Sequence, residues 1–224
     1  MSLKENLLEL LQKNSGEFLS GEKAAEILSV SRTAVWKAVT ALKKEGYNIE
    51  SVTNRGYRLS ADTDVLSACG INDCLGGQAK KYDISVLGTV TSTNALIKTE
   101  AAKNAPEGRI IIAAEQTAGR GRFGRSFFSP TGSGLYISIL LRPTLPVTAA
   151  VSVTAAAAAA VAEAVETVSG KKAGIKWVND VLTDNKKVCG ILTEAALDVE
   201  SGALSYAVLG IGVNVYPPQG GFPE

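Results

Sequence analysis

Gly119-Arg120-Gly121-Arg122-Phe123-Gly124-Arg125 decides between several folds. Its letters match GxGxxG, the fingerprint of a dinucleotide-binding turn, but that turn must open a helix. Here Ser129-Pro130-Thr131-Gly132 follows, and then an apolar stretch over 135–141 that reads as a strand. A protein-kinase glycine loop does lie between strands, yet that family needs a His-Arg-Asp catalytic loop, and this chain contains no histidine. The Walker pattern is absent as well. What remains is physical. Glycines let backbone approach an anion, and Arg120, Arg122 and Arg125 offer forked donors to phosphate oxygens. A surface Arg-Gly loop is the plain alternative. The loop's position directly after the apolar strand over 109–116 argues instead for an anion-binding active-site loop of a nucleotide-using enzyme.

Working outward, residues 82–87 read as a strand. Ser92-Thr93-Asn94 then opens a helix running to about residue 103, presenting hydroxyls and free backbone N–H groups at its start. By itself such a run is most simply an N-cap. Further on, Lys176-Trp177-Val178-Asn179-Asp180 borders a strand, and Asp184-Asn185 forms a two-residue hairpin turn. A regular register sets Thr183 opposite Lys186, Leu182 opposite Lys187 and Asp180 opposite Cys189. Asp180, Leu182, Lys187 and Cys189 then share one face, with Asp180 and Lys187 diagonal neighbours roughly 7–8 Å apart. Alone this is a surface ion pair; beside an arginine loop it suggests a polyanion site. Two strands, over 203–209 and 210–215, close the pattern.

The 224 residues suffice for one medium and one small domain. Hydrophobic residues make up 46% and charged residues 20%, and the formal net charge is +1, so any affinity for nucleic acid must be local. The missing histidine removes Ser-His-Asp hydrolysis and His-ligated zinc. Cys69, Cys74 and Cys189 form no CxxC pair, and no signal peptide precedes them, which points to a reducing cytoplasm. Residues 147–168, including six consecutive alanines, approach a membrane span in length. Thr148, Ser152 and Thr154 interrupt the run and Glu163 and Glu166 close it, so a buried helix is expected and no membrane.

The first sixty residues carry a different pattern. Leu3, Leu7, Leu8, Leu10 and Leu11 recur at helical spacing. Ser20 caps a second helix with Ala24, Ala25, Ile27 and Leu28 inward. A third helix spans about 32–45 with Val35, Trp36, Val39 and Leu42 inward. Strands over 47–52 and 56–59, joined at Thr53-Asn54-Arg55, complete a winged helix-turn-helix. From Arg32 to Arg58 six basic residues face two acidic ones, a local excess of four. Ser31, Arg32, Thr33 and Lys37 at the helix start, with Arg55 on the wing, suit DNA better than a merely solvated basic face. Residues 61–80 read as a linker between a 1–60 DNA-binding domain and an 81–224 catalytic domain.

Taken together, the winged helix, Ser92-Thr93-Asn94, Gln116 with the arginine–glycine loop, the 176–180 motif, Lys187-Val188-Cys189-Gly190-Ile191-Leu192 and Gly210-Ile211-Gly212-Val213-Asn214-Val215 stand in an order that resembles the bifunctional biotin protein ligases, also called biotin operon repressors. The resemblance covers almost the whole chain. It implies an α+β protein whose mixed-sheet α/β catalytic domain is similar to class II synthetases. It also implies a C-terminal β-barrel, absent from a chain that stops at Glu224, so the 81–224 domain is expected to be C-terminally incomplete. The implied activity is ATP-dependent formation of biotinyl-5′-AMP with Mg2+, then transfer of biotin to a lysine of a biotin carboxyl carrier domain. The implied partners also include operator DNA, bound by a ligand-induced homodimer. By the same resemblance Ser92, Thr93, Asn94, Gln116, Gly119, Arg120, Gly121, Arg122, Lys187 and Gly190 bind biotin. Arg120, Arg122, Phe127, Lys176, Asn179, Asp180 and Asn214 bind ATP, with Phe127 stacking on adenine where the family often has tryptophan. Lys187, Arg122 and Asp180 are the catalytic set, and no protein-bound metal site is implied. Val178 stands where the family commonly has proline, and Phe123 where it often has a basic residue. The alternatives are a biotinyl-adenylate-sensing regulator without full ligase activity, and a lipoyl or octanoyl ligase of related fold, whose branch lacks the arginine-rich loop. Glycines and like charges disfavour one fixed loop conformation, so the loop is expected to be mobile when empty.

Overall fold

Ser2, Ser20 and Ser31 start three helices by the same device: each side-chain oxygen accepts a backbone N–H from the first turn, at Glu5, Lys23 and Ala34. Each such cap stabilises its helix by about 1 kcal/mol. At Ser2 the bond is reciprocal, since Glu5 accepts the Ser2 N–H at 2.7 Å. The resulting helices are α1 (Leu3–Lys13), α2 (Gly21–Ile27) and α3 (Arg32–Lys44). The computed structural model describes residues 2–14, 16–60, 65–144, 150–197 and 204–223. Its contacts divide the chain into two units, Met1–Gly76 and Gly77–Glu224.

In the first unit Leu7, Leu11, Val35, Val39 and Leu42 form the buried centre. Two expectations fail here. Trp36 is 57% exposed and Ile27 51% exposed. Val35, Val39 and Leu42 already define the inward stripe of α3 at four- and three-residue spacing; Trp36 is turned about 100° from Val35 and leaves it, while Ala38 lies inside. In α2, Ala24 and Ala25 are buried and Ile27 falls just outside the face they define.

Strands β1 (Ile49–Val52) and β2 (Gly56–Leu59) pair antiparallel from Ile49–Leu59 to Val52–Gly56, so the ladder starts two residues later than expected. Leu19 adds a bridge, exchanging two 2.8 Å bonds with Tyr57. The close approach is why position 56 is glycine: its φ is +102°, and a Cβ there would lie 2.1 Å from the Leu19 carbonyl oxygen.

The segment read as a linker, 61–80, is not irregular throughout. Residues 61–64 lie outside the described residues, but Ala68–Leu75 forms helix α4, capped by the Ser67 hydroxyl. Gln12 of α1 donates to the same hydroxyl at 3.0 Å, which ties α4 to the first unit.

The second unit is built on a seven-stranded mixed sheet in the order β3-β4-β5-β9-β8-β7-β6. The strands are β3 (Asp83–Val90), β4 (Arg109–Gln116), β5 (Gly134–Leu141), β6 (Ala173–Lys176), β7 (Asp180–Thr183), β8 (Lys186–Leu197) and β9 (Leu204–Asn214). Among the described residues only β3 and β4 run parallel; helix α5 (Thr93–Ala101) makes the crossover between them. The two strands expected over 203–215 are one continuous strand, β9; Ala203 lies outside the described residues.

Among the described residues, each face of the sheet carries one helix. Ile97 and Ala101 of α5 pack on Ile111, Leu140 and Val208. On the other face α6 (Ala150–Ser169) sets Ala157, Ala158 and Ala162 against Val181, Cys189, Ile191 and Leu209. The expectation of a buried helix needs correction. Residues 147–149 lie outside the described residues, and α6 is covered on one side only, with Val151 and Val168 exposed. Alanine buries well against a sheet but costs little when exposed, so a helix this apolar can leave one side to solvent. By length and composition Val151–Ser169 is apolar enough to cross a membrane, with a mean hydropathy of 1.5. Among the described residues there is no closed barrel.

Candidate active site

The register of the central strands lays bare backbone under the site. Tyr136, Gly212 and Gly190 stand in one row across β5, β9 and β8, and Ser138, Gly210 and Leu192 in the next but one. The glycines are required by what lies over them. A Cβ on Gly210 would come within 2.2 Å of Asn94 Oδ1, and one on Gly212 within 2.4 Å of the Phe127 ring. Above this floor a cavity encloses about 480 Å³ of empty space, including solvent at its mouth. Ser92, Thr93 and Asn94 at the start of α5, Gln116 at the end of β4, and Arg120, Gly121 and Arg122 of the loop border it, together with Asn179, Lys187 and Gly190.

The α5 end of the cavity is a connected polar network. Ser92 is the N-cap residue yet makes no side-chain capping bond, so its buried hydroxyl is not used as a cap. Gln116 replaces it: its Oε1 accepts the Thr93 N–H at 2.9 Å, and its Nε2 donates to Ser129 at 3.0 Å. Ser138 Oγ lies 2.7 Å from Thr93 Oγ1 and 2.6 Å from Asn94 Oδ1. Asn94 Nδ2 donates to Glu194 at 2.9 Å, and Glu194 also pairs with Lys98. Burial pushes the Glu194 carboxyl up, but hydrogen bonds from Lys98 and Asn94, with the charges of Lys98 and Arg120, outweigh it and hold the group below its ordinary range.

At the other end the cations are fenced. The loop folds back on itself through Gly121 N–H to the Arg125 carbonyl at 2.7 Å and Phe127 N–H to the Gly119 carbonyl at 2.9 Å. This directs Arg122 Nη1 onto Asn179 Oδ1 at 2.6 Å. Asn179 Nδ2 donates to Asp180 Oδ1 at 2.8 Å, and the same carboxylate oxygen is 2.8 Å from Lys187 Nζ. Lys187 and Asp180 therefore converge, though not by the expected register. A bulge at Val181/Leu182 pairs Asp180 with Gly190 and Val181 with Cys189. The extra residue on β8 flips the alternation, so Lys187 points to the cavity and Cys189 to the α6 side. Burial pushes the Cys189 thiol up to about 12.

Phe127, Lys176 and Asn214, the other residues expected on the nucleotide side, stand around this cluster, with Lys176 opposite Asp180 in the β6–β7 register. Phe127 packs over Gly190 and Gly212, edge-on to Tyr136 with centroids 6.4 Å apart, so it is a wall of the cavity. Lys176 ends the outermost strand β6, and Asn214 ends β9 with Nδ2 3.5 Å from the Lys187 carbonyl oxygen; neither borders the cavity. Gly119 lies close against the Phe127 carbonyl, Ser129 and Gln116 and does not line the cavity. Glu194, Ser138, Ser129 and Lys98 were not singled out from the sequence. Ser138 alone left a signal, as a polar residue on the same face as Tyr136 in an apolar strand.

In the first unit, Arg32, Thr33, Trp36 and Lys43 of α3 border an open groove with residues 51–54 of the wing. Ser31 caps α3, and Lys37 is exposed one turn further along. Arg55 lies over the Phe18 ring at 4.4 Å from its centroid; Arg58 lies over the same ring at 4.6 Å and pairs with Glu50 at 2.7 Å.

A winged helix-turn-helix together with a mixed-sheet unit, whose cavity joins a polar pocket to clustered cations, defines a ligase carrying a helix-turn-helix domain. Residues 86–214 match the biotin/lipoate A/B protein ligase family, and residues 4–58 match an HTH domain. The bifunctional ligase/repressor BirA of Bacillus subtilis strain 168 is 38% identical over 223 residues, covering 100% of this chain and 68% of that protein. The protein of the same name from Escherichia coli K12 is 33% identical, over 90% of this chain and 60% of that one. The structure of Aquifex aeolicus biotin protein ligase in complex with biotin and ATP superposes with a TM-score of 0.51 at 33% identity, covering 63% of this chain and 55% of that one. The chain belongs to the biotin/lipoate A/B protein ligase family, on its biotin protein ligase branch, and carries the N-terminal helix-turn-helix domain. It spans about two thirds of the length of its Bacillus relative.

Proposed function

We propose that this chain activates biotin with ATP and transfers it to a lysine of a carrier domain, and that its winged helix binds operator DNA. The observation that carries the reading is the Arg122–Asn179–Asp180–Lys187 chain at the mouth of a polar cavity. Biotin is bicyclic with a polar ureido end and a carboxylate at the end of a flexible arm. The Thr93–Gln116–Asn94 network suits the first, and Lys187 with Arg122 suits the second.

In the first step a biotin carboxylate oxygen attacks the α-phosphorus of ATP. A carboxyl–phosphate bond forms, the bond to the β-phosphate bridge breaks, and pyrophosphate leaves. Lys187 and Arg122 place positive charge where the α-phosphate gains it negative, with Asp180 and Asn179 holding both side chains in place before reaction. In the second step the free amine of the acceptor lysine attacks the acyl carbon. A C–N bond forms, AMP leaves, and the amine proton passes to solvent.

Mg2+ belongs to ATP in this reading. Among the described residues no group of three carboxylate or thiol side chains could hold an ion, and Asp180 is engaged by Lys187. The metal supplies charge neutralisation on the leaving pyrophosphate, and every protein contribution described above stands without it. On the DNA side, the Ser31–Lys37 face of α3 and Arg55 contact operator, and the adenylate-loaded form pairs into a homodimer there.

Isotope exchange between pyrophosphate and ATP tests the first step, and exchange is expected only when biotin is present. Exchange at the same rate without biotin overturns the reading. Transfer of labelled biotin to a purified carrier domain tests the second. Sedimentation with and without biotinyl-adenylate, on operator DNA, tests the pairing.

A further inference from the structure

We propose that Glu194 is a positioning residue that sets which way the hydroxyl hydrogens of the cavity point, so that Thr93 and Gln116 meet the ligand as acceptors. This rests on the reading of the cavity as a biotin site.

The argument is a count of hydrogens along one row. Gln116 Oε1 is 3.1 Å from Thr93 Oγ1, Thr93 Oγ1 is 2.7 Å from Ser138 Oγ, Ser138 Oγ is 2.6 Å from Asn94 Oδ1, and Asn94 Nδ2 is 2.9 Å from Glu194 Oε2. An ionised carboxylate only accepts, so the Asn94 atom facing Glu194 is nitrogen and the atom facing Ser138 is oxygen. That oxygen also only accepts, so Ser138 gives its single hydrogen to Asn94. Ser138 Oγ at 2.7 Å and Gln116 Oε1 at 3.1 Å then compete for the single Thr93 hydroxyl hydrogen, and the shorter contact takes it. Gln116 Oε1 is fixed as oxygen by the Thr93 N–H it accepts. Two hydroxyl hydrogens thus serve three oxygen–oxygen contacts, and the longest one, at 3.1 Å, is left without.

Both oxygens at that contact belong to residues bordering the cavity. Each keeps lone pairs free for a ligand N–H, which is what a ureido ring supplies. Thr93, Asn94 and Ser138 are buried, so water does not scramble the row. Lys98 on α5 and Arg120 on the loop are the charged groups facing Glu194, and both favour its ionised form. A neutral amide at 194 can donate as well as accept. Asn94 is then held in this sense only by the 3.4 Å bond from Nδ2 to the Leu192 carbonyl oxygen and can reverse, Ser138 can turn toward Thr93, and Thr93 toward Gln116, which removes one acceptor from the cavity.

The test is calorimetric titration of the full chain with biotin, comparing wild type with Glu194→Gln and Glu194→Asp. The first variant keeps the size and loses the charge; the second keeps the charge and loses a methylene. A role in packing alone predicts that Gln is the milder change. The proposal predicts the reverse: the Gln variant loses more than about fivefold in affinity and more than the Asp variant, with KM for ATP and kcat at saturating biotin unchanged. A Gln variant within about fivefold of wild type, or one milder than Asp, overturns it. If thermal melting shows that the Gln variant does not fold, Ser138→Ala decides: it breaks the row at its middle, and a loss of less than about fivefold overturns the proposal. Wild type that binds no biotin fails the biotin reading itself, a separate outcome.

Discussion

On the wing, Arg55 is exposed and stacks on Phe18, while at the cleft Lys187 is held 2.8 Å from Asp180 and Arg122 2.6 Å from Asn179. A guanidinium supported by an aromatic face keeps its edge donors free, which suits a long polyanion met at many points. Cations tied to a carboxylate and an amide are aimed at one place, which suits a single compact anion. The first arrangement spreads binding over many weak, salt-sensitive contacts. The second concentrates it, so single losses are severe and salt matters little.

The comparison breaks most readily at Lys187. Lys187→Met is expected to slow biotin-dependent ATP–pyrophosphate exchange by about a hundredfold or more and to leave operator binding by the unliganded protein unchanged. An exchange rate close to wild type would mean that the fenced cation is not aimed at the reacting phosphate. The next effect is steric. Gly210→Ala pushes a methyl group against Asn94, which would lie 2.2 Å away; the expected cost is about 1–3 kcal/mol of stability, seen in urea unfolding, together with weaker biotin binding by calorimetry. On the wing, losses are smaller and differ in kind. Arg32→Ala and Arg55→Ala should each lower operator affinity modestly and reduce the slope of log K against log salt by about 0.9 for each lost phosphate contact, with pyrophosphate exchange unaffected. An unchanged slope places these side chains off the DNA.

The smallest expected effect is chemical. The Cys189 thiol, pushed up to about 12 by burial, stays protonated at pH 8, where a thiol must ionise to react. Alkylation of the native protein should label exposed Cys74 first and half-buried Cys69, also raised by burial and by Asp73, more slowly. Cys189 should react only after unfolding, as followed by intact-mass spectrometry. Early labelling of Cys189 would show that the sheet–α6 interface opens in the native state.

The two units also differ in how far they can be read from sequence. In the winged helix, caps, turn and helix stripe are all local, and the three helices and the hairpin follow from them. Trp36 and Ile27 are misplaced only because a stripe has edges and an apolar residue beside the edge looks inward by composition. In the ligase unit the strands are legible as apolar runs, and Ser92, Thr93, Asn94, Gln116, Arg122, Asp180 and Lys187 do come together in space. Their pairing is less legible. A one-residue bulge leaves no trace in alternation, so Cys189 reads as a neighbour of Asp180. Glu194 is 100 residues from Asn94, and a lone acid in a strand carries no sign that its partner is an amide at the start of a distant helix. Helix α4 is hidden because Gly70, Asn72 and Asp73 resemble a linker until Ser67 caps them.

The bulge in the β7–β8 hairpin also bears on what else the activated biotin could meet. A mixed carboxyl–phosphate anhydride acylates thiols readily, and a flat register would present the Cys189 sulfur on the same face as Lys187, beside the acyl carbon. Biotin would then be trapped on the ligase as a thioester, in competition with the carrier's amine. The extra residue turns the sulfur through the sheet to the helix side, among Val181, Ile191 and the alanines of α6. On the proposed reading, the same local irregularity that turns Lys187 to the cavity keeps the thiol away from the activated biotin.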